Sequence, residues 1–146
     1  MKKLLLTIVL LSITGCAYTP PPPPQYDYPS TLTSQHDYDY VWGQIVEFVT
    51  DHDMPMTQID KASGLMMLSY TSREGDGNNW MDCGEYGNQI DMRRARIRIL
   101  ARNYTDSVTV SVRAWFYYID EFSVREDTCS STGLLERKLF EYIEKK

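Results

Sequence analysis

The sequence predicts an α+β domain: a four-stranded antiparallel sheet with two helices packed on one face, in the order α-β-β-β-β-α. Three observations carry this. Apolar residues recur at helical spacing in Ser34 to His52 and again near the C-terminus. Between them, Ile90 to Asn103 and Ser107 to Ile119 alternate apolar and polar residues around a polar turn, as half-buried strands do. Two helices need a shared apolar surface, and one face of such a sheet supplies it.

The chain divides into three parts: a leader at 1–15, a tether at 16–35 and a single domain at 36–146. With 146 residues in all, about 110 belong to the domain, enough for one core but few enough to gain from a covalent staple. The formal charge is −5, and the leader holds Lys2 and Lys3 but no acid, so the remainder is more acidic still. This excludes nucleic acid as a bulk electrostatic partner and argues against general adsorption to anionic lipid.

The leader begins Met1-Lys2-Lys3 and is apolar from Leu4 to Leu11. A membrane span needs about 20 apolar residues; two lysines, a shorter apolar run and small residues have the order of a secretory signal. Its end, Ile13-Thr14-Gly15-Cys16, resembles the lipobox of bacterial lipoproteins. That resemblance implies that Cys16 is lipidated and that the following residues are extracytoplasmic. Ala17 is similar to what outer-membrane lipoproteins carry, implying an outer-membrane anchor with the domain in the periplasm.

Two cysteines remain, Cys83 and Cys129. In an oxidising compartment an even pair reads as a disulfide; two buried free thiols are the alternative. A metal site is the weaker rival, since His36 and His52 have no ligand spacing to the cysteines. The bridge would close a loop of roughly 46 residues.

Five of the seven prolines are consecutive, Pro20 to Pro24, and favour an extended, stiff chain. At about 3.1 Å per residue, some 18 tether residues reach up to roughly 55 Å. In the first helix, Tyr38, Val41, Trp42, Ile45, Phe48 and Val49 form one face, with Ser34 and Asp37 at its start. Asp51-His52-Asp53 and Pro55 end it, and that cluster reads as a solvated helix end rather than a metal site. Met56 to Asp60 and Leu65 to Tyr70 read as a hairpin around Asp60-Lys61-Ala62-Ser63-Gly64, whose glycine suits a positive φ. A helix with a central Trp, a short strand and an Asp-Lys-x-Ser-Gly-Leu turn into a second strand resemble, over Tyr38 to Tyr70, the helix-grip domains of BamC-type lipoproteins. Those domains belong to outer-membrane assembly machinery, and the resemblance implies a small domain of that fold.

Thr71 to Gln89 reads as a long polar loop, in which Trp80 and Tyr86 either pack around the disulfide or form an exposed aromatic surface for glycan or peptide. In the next strand Ala95, Ile97, Ile99 and Ala101 share one face; Arg94, Arg96, Arg98 and Arg102 share the other. In its partner Val108, Val110, Val112, Ala114, Phe116 and Tyr118 face inward. Ser107, Thr109, Ser111 and Arg113 face out, with Trp115 and Tyr117. The arginine row has two readings: a solvated face paired with nearby Asp and Glu, or a site for an anionic group such as a phosphate-bearing lipid or an acidic protein. The last helix follows Cys129-Ser130-Ser131-Thr132, where a hydroxyl can cap it. It buries Leu135, Leu139, Tyr142 and Ile143, with Glu136 expected among its wet residues.

No nucleophile–base arrangement, metal spacing or phosphate-cradling loop stands out, so neither enzyme activity nor a cofactor is expected. The expected function is that of a lipid-anchored structural or interaction module with an envelope protein partner. The alternative is a binding module for an anionic ligand or glycan through Arg94, Arg96, Arg98, Arg102 and Arg113 or through the 71–89 loop.

Overall fold

The computed structural model describes residues 21–73, 79–84, 92–119 and 126–145. Cys16, Tyr86 and the leader lie outside them. Among the described residues there are two helices, α1 (Tyr38–Asp51) and α2 (Leu134–Glu144). The strands are β1 (Thr31–Ser34), β2 (Met56–Asp60), β3 (Leu65–Arg73), β4 (Met81–Asp82), β5 (Met92–Asn103), β6 (Val108–Ile119) and β7 (Glu126–Ser131). The α+β class and the antiparallel sheet agree with the sequence reading. The strand number does not: the sheet has seven strands rather than four.

The sheet runs β2-β3-β5-β6-β7-β4, and β1 lies beside β6. The outer edge of β6 is therefore shared. β1 covers Val108 to Ser111, and β7 covers Phe116 to Ile119. Of the three extra strands, β4 pairs β7; β1 and β7 lie along β6, which is 12 residues long, and a long apolar strand left at an edge exposes unpaired backbone groups. Two segments read as connection, Thr31–Ser34 and Glu126–Ser131, satisfy that edge. The segment expected as tether thus enters the fold, and the sheet begins before residue 36. β4 and the end of β3 also lie within the stretch expected to be a loop.

α1 starts at Asp37, whose carboxylate accepts from Tyr40 N–H at 2.8 Å; Ser34 ends β1 instead of capping the helix. Val41, Trp42, Ile45, Phe48 and Val49 are buried as the spacing predicts. They meet Ala95, Ile97, Ile99 and Ala101 from β5 and Val108, Val110 and Val112 from β6 in one core. α2 joins the same core through Leu135, Leu139, Phe140 and Ile143. Glu136, expected to be wet, is only 1% exposed.

The hairpin turn has the expected chemistry. Asp60 accepts from Ala62 N–H at 3.0 Å and from the Ser63 hydroxyl at 2.7 Å, which holds its carboxyl below the ordinary value. Gly64 has φ +71°, and a Cβ there would lie 1.9 Å from the Ala101 carbonyl oxygen, so only glycine fits.

Candidate functional site

The helices cover one face of the sheet, and the other face is open. Directly opposed residues of an antiparallel pair share a face. On the open face Arg94 is opposite Tyr117, Arg96 opposite Trp115, Arg98 opposite Arg113 and Arg102 opposite Thr109. From β3, Thr71, Ser69 and Met67 lie opposite Arg94, Arg96 and Arg98. The predicted arginine face therefore exists, and β6 interleaves it with aromatic rings.

The rings position the cations. The Arg96 guanidinium lies 5.9 Å from the Tyr117 ring centroid, and that of Arg98 lies 5.9 Å from the Trp115 ring. Each arginine leans diagonally along the ladder onto the aromatic next to its direct partner. At an exposed site such a contact is worth about 0.5–1 kcal/mol. It leaves the N–H edge of the guanidinium available, since the ring occupies the plane. Trp115 remains 45% exposed.

The paired-arginine reading requires carboxylates. Among the described residues the ion pair found is Lys61 to Asp39, 2.7 Å apart, beside the hairpin turn. None there joins Arg96, Arg98, Arg102 or Arg113 to an acid. Two clefts open on this face. One, of about 590 Å³, is lined by Met67, Arg96, Trp115, Tyr117 and Thr128. The other, of about 240 Å³, is lined by Tyr28, Ser30, Thr31, Arg98, Ser111 and Arg113.

Cys83 and Cys129 form the expected disulfide, with Cα atoms 4.3 Å apart. It ties the 79–84 segment to β7, as do the hydrogen bonds from Thr132 N–H to the Trp80 carbonyl at 3.0 Å and from the Thr132 hydroxyl to the Asn79 carbonyl at 2.5 Å. Trp80 is only 4% exposed and packs near Tyr70 and His52. It belongs to the core and is not part of an exposed aromatic surface.

The residues with acid–base or ligating chemistry have local partners. His52 holds its Nδ1 2.8 Å from the Phe48 carbonyl, and its ring packs on that of Phe48. Asp51 accepts from the Tyr142 hydroxyl at 2.6 Å; that bond, with burial and nearby carboxylates, pushes the Tyr142 phenol up to about 12. His36 packs on Tyr40. Among the described residues no three His, Cys, Asp or Glu side chains gather as a metal site.

Sequence reasoning missed the contribution of the tether. Tyr26 donates to Asp82 at 2.6 Å, which lowers the Asp82 carboxyl below its ordinary value. Tyr28 lies against Gly133, where a Cβ would come within 2.5 Å of it. The alternation Thr31-Leu32-Thr33 was the available strand signal. No protein-family model matches this chain, and no curated protein matches it.

Proposed function

We propose that the chain is a lipid-anchored, non-enzymatic interaction module of a bacterial envelope, held at the outer membrane through Cys16, with the open sheet face as its contact surface. One observation carries the reading: Arg96, Arg98, Arg102 and Arg113 of an acidic protein share that face with an exposed tryptophan, and among the described residues no ion pair joins these four to a carboxylate. A cationic patch with aromatic anchors is suited to a partner that brings acidic groups. The leader and its Cys16 support the anchor, and the disulfide suits an oxidising compartment.

Two measurements test it. Fatty-acid labelling of the full chain should mark the parent and not Cys16→Ala; a labelled Cys16→Ala chain removes the anchor. Crosslinking from native membranes should capture an envelope protein, and the double variant Arg96→Gln/Arg102→Gln should lose most of it. Its melting temperature should shift by no more than about 3 °C, as for exposed substitutions outside the core. Undiminished capture, or a large fall in melting temperature, would assign these arginines to structure.

A further inference from the structure

The outer edge of β6 has a gap. β1 ends its pairing at Ser111 and β7 begins at Phe116, with one further bond from Val112 N–H to the Ser30 carbonyl at 2.9 Å. Among the described residues Arg113, Ala114 and Trp115 have no ladder partner on that edge. Beside the gap, Arg98 and Arg113 stand directly opposite each other across β5 and β6. Like charges so placed repel and destabilise a sheet. Among the described residues no acid lines the cleft they share, and an anionic ligand there would offset the repulsion.

What lines it instead is a set of donors. Tyr28, Ser30 and Thr31 come from the N-terminal segment, Ser111 from β6, and the two guanidinium forks from the facing strands. Ser111 already points its hydroxyl at the Leu100 carbonyl, at 3.5 Å. Thr31 is paired with Ser111 on the face that carries the two arginines, and Tyr28 and Ser30 reach the rim of the cleft from the chain before β1. Arg98 is held by its stack on Trp115, so part of its ordering entropy is spent before any ligand arrives. A carboxylate offers two oxygens in one plane. Two cations and several hydroxyls around a cleft of about 240 Å³ match a doubly charged group with oxygens on all sides.

We infer that Arg98 and Arg113, with Thr31 and Ser111 beside them and Tyr28 and Ser30 at the rim of the same cleft, form a binding site for a phosphate-type oxyanion in the gap between β1 and β7. The site belongs to the contact face proposed above and rests on that reading for the membrane as one source of phosphate. Three of its residues follow Cys16 by 12 to 15 positions, so an anchor there keeps the cleft within about 40–50 Å of a lipid surface even when fully extended. Both a phosphomonoester headgroup and free phosphate present the same chemistry.

The test uses the full chain in a neutral detergent, titrated with inorganic phosphate against chloride at equal ionic strength, read by calorimetry and tryptophan fluorescence. Trp115 reports on Arg98, whereas Trp42 and Trp80 are buried. The expected result is saturable binding that weakens about tenfold or more in Arg98→Gln and in Arg113→Gln and is unchanged in Arg102→Gln. In phosphate-free buffer the first two variants should melt no lower than the parent, since each relieves the facing charges. A short-chain phosphatidic acid that binds more tightly than phosphate, while the matching phosphatidylcholine does not bind, assigns the lipid source; equal affinities assign free phosphate. Absence of saturable phosphate binding, or binding by Arg98→Gln and Arg113→Gln as tight as the parent's, overturns the site. Partner capture that still depends on Arg96 and Arg102 would then leave the interaction surface standing. Phosphate binding without any captured partner does the reverse.

Discussion

Glu136 is the residue whose chemistry departs furthest from its sequence setting. On α2 it shares the i, i+3, i+4, i+7 face of Leu139, Phe140 and Ile143, so a carboxylic acid is buried on an apolar stripe. The cause is local. Gly133 at the N-cap has φ +75° and supplies no side-chain cap. Ser131 takes part from outside the helix: its hydroxyl oxygen accepts from Gly133 N–H at 3.1 Å and donates to the Glu136 carboxylate at 3.2 Å. Burial raises the Glu136 carboxyl above its ordinary value, against the opposing hydrogen bonds. Its sign follows from linkage. Between the ordinary and the raised value, the folded chain holds a proton that the unfolded chain has released, so stability falls as pH rises through that window. Asp60 and Asp82 act oppositely: their lowered carboxyls lend stability above the ordinary aspartate value, lost as pH falls through the folded one. Urea midpoints against pH should therefore decline above the ordinary glutamate value in the parent, and Glu136→Gln should flatten that decline. An unchanged slope would mean that Glu136 is ionised in both states.

At the scale of elements, the least self-sufficient part of the fold is the β4–β7 pair with the start of α2. β4 has two residues, paired to Ser130 and Ser131, and β7 is a polar strand, Glu-Asp-Thr-Cys-Ser-Ser. Neither offers an apolar alternation to hold it in register. The Cys83–Cys129 bridge, with a sequence separation of 46, takes that role. In the chain-entropy account a loop of this size contributes about 4 kcal/mol. Replacing both cysteines by serine should lower the stability from urea unfolding by about that amount. Hydrogen exchange should rise first in β4, β7 and the first turn of α2 and last in β5 and β6. Uniform loss of protection would indicate that the bridge holds the whole domain rather than this corner.

At the scale of the molecule, the N-terminal segment is part of the domain. β1 pairs with β6, Leu32 packs on the core and Ser34 is buried. A domain started at residue 36, the boundary the composition suggests, lacks this strand and bares Val108 and Val110 along a sheet edge. Burial of a leucine-sized side chain is worth about 1.5–3 kcal/mol before the ladder bonds are counted. A chain beginning at residue 36 should therefore be less stable than one beginning at residue 21 by about 2 kcal/mol or more. Equal urea midpoints for the two would make β1 an ornament of the sheet. Docking also shortens the spacer. From Cys16 to Tyr26 an extended proline-rich stretch covers about 30 Å, not the roughly 55 Å expected of a free 18-residue tether. An anchored domain would stand correspondingly closer to its membrane.

The patterns of period 2 and period 3.6 were legible because each is imposed by one buried face. Ala95 to Ala101, Val108 to Phe116 and the stripe of α1 read directly as core, and the arginine row followed as the opposite side of the same alternation. The even cysteine pair and the Asp60–Gly64 turn are likewise local or combinatorial facts. Tertiary structure alone decided the rest. β1 and β7 are strands because the long edge of β6 needs partners; Thr31-Leu32-Thr33 carries only a three-residue alternation toward this, and Glu-Asp-Thr-Cys-Ser-Ser carries none. Trp80 and Glu136 are buried because the disulfide-tied segment and the turn before α2 close over them. The opposition of Arg98 to Arg113 depends on the register between two strands, and the hydroxyls beside them come from a segment more than 65 residues earlier in the chain than Arg98. A sequence specifies which side chains face together within an element; which elements meet is set by the edges and faces that folding must cover.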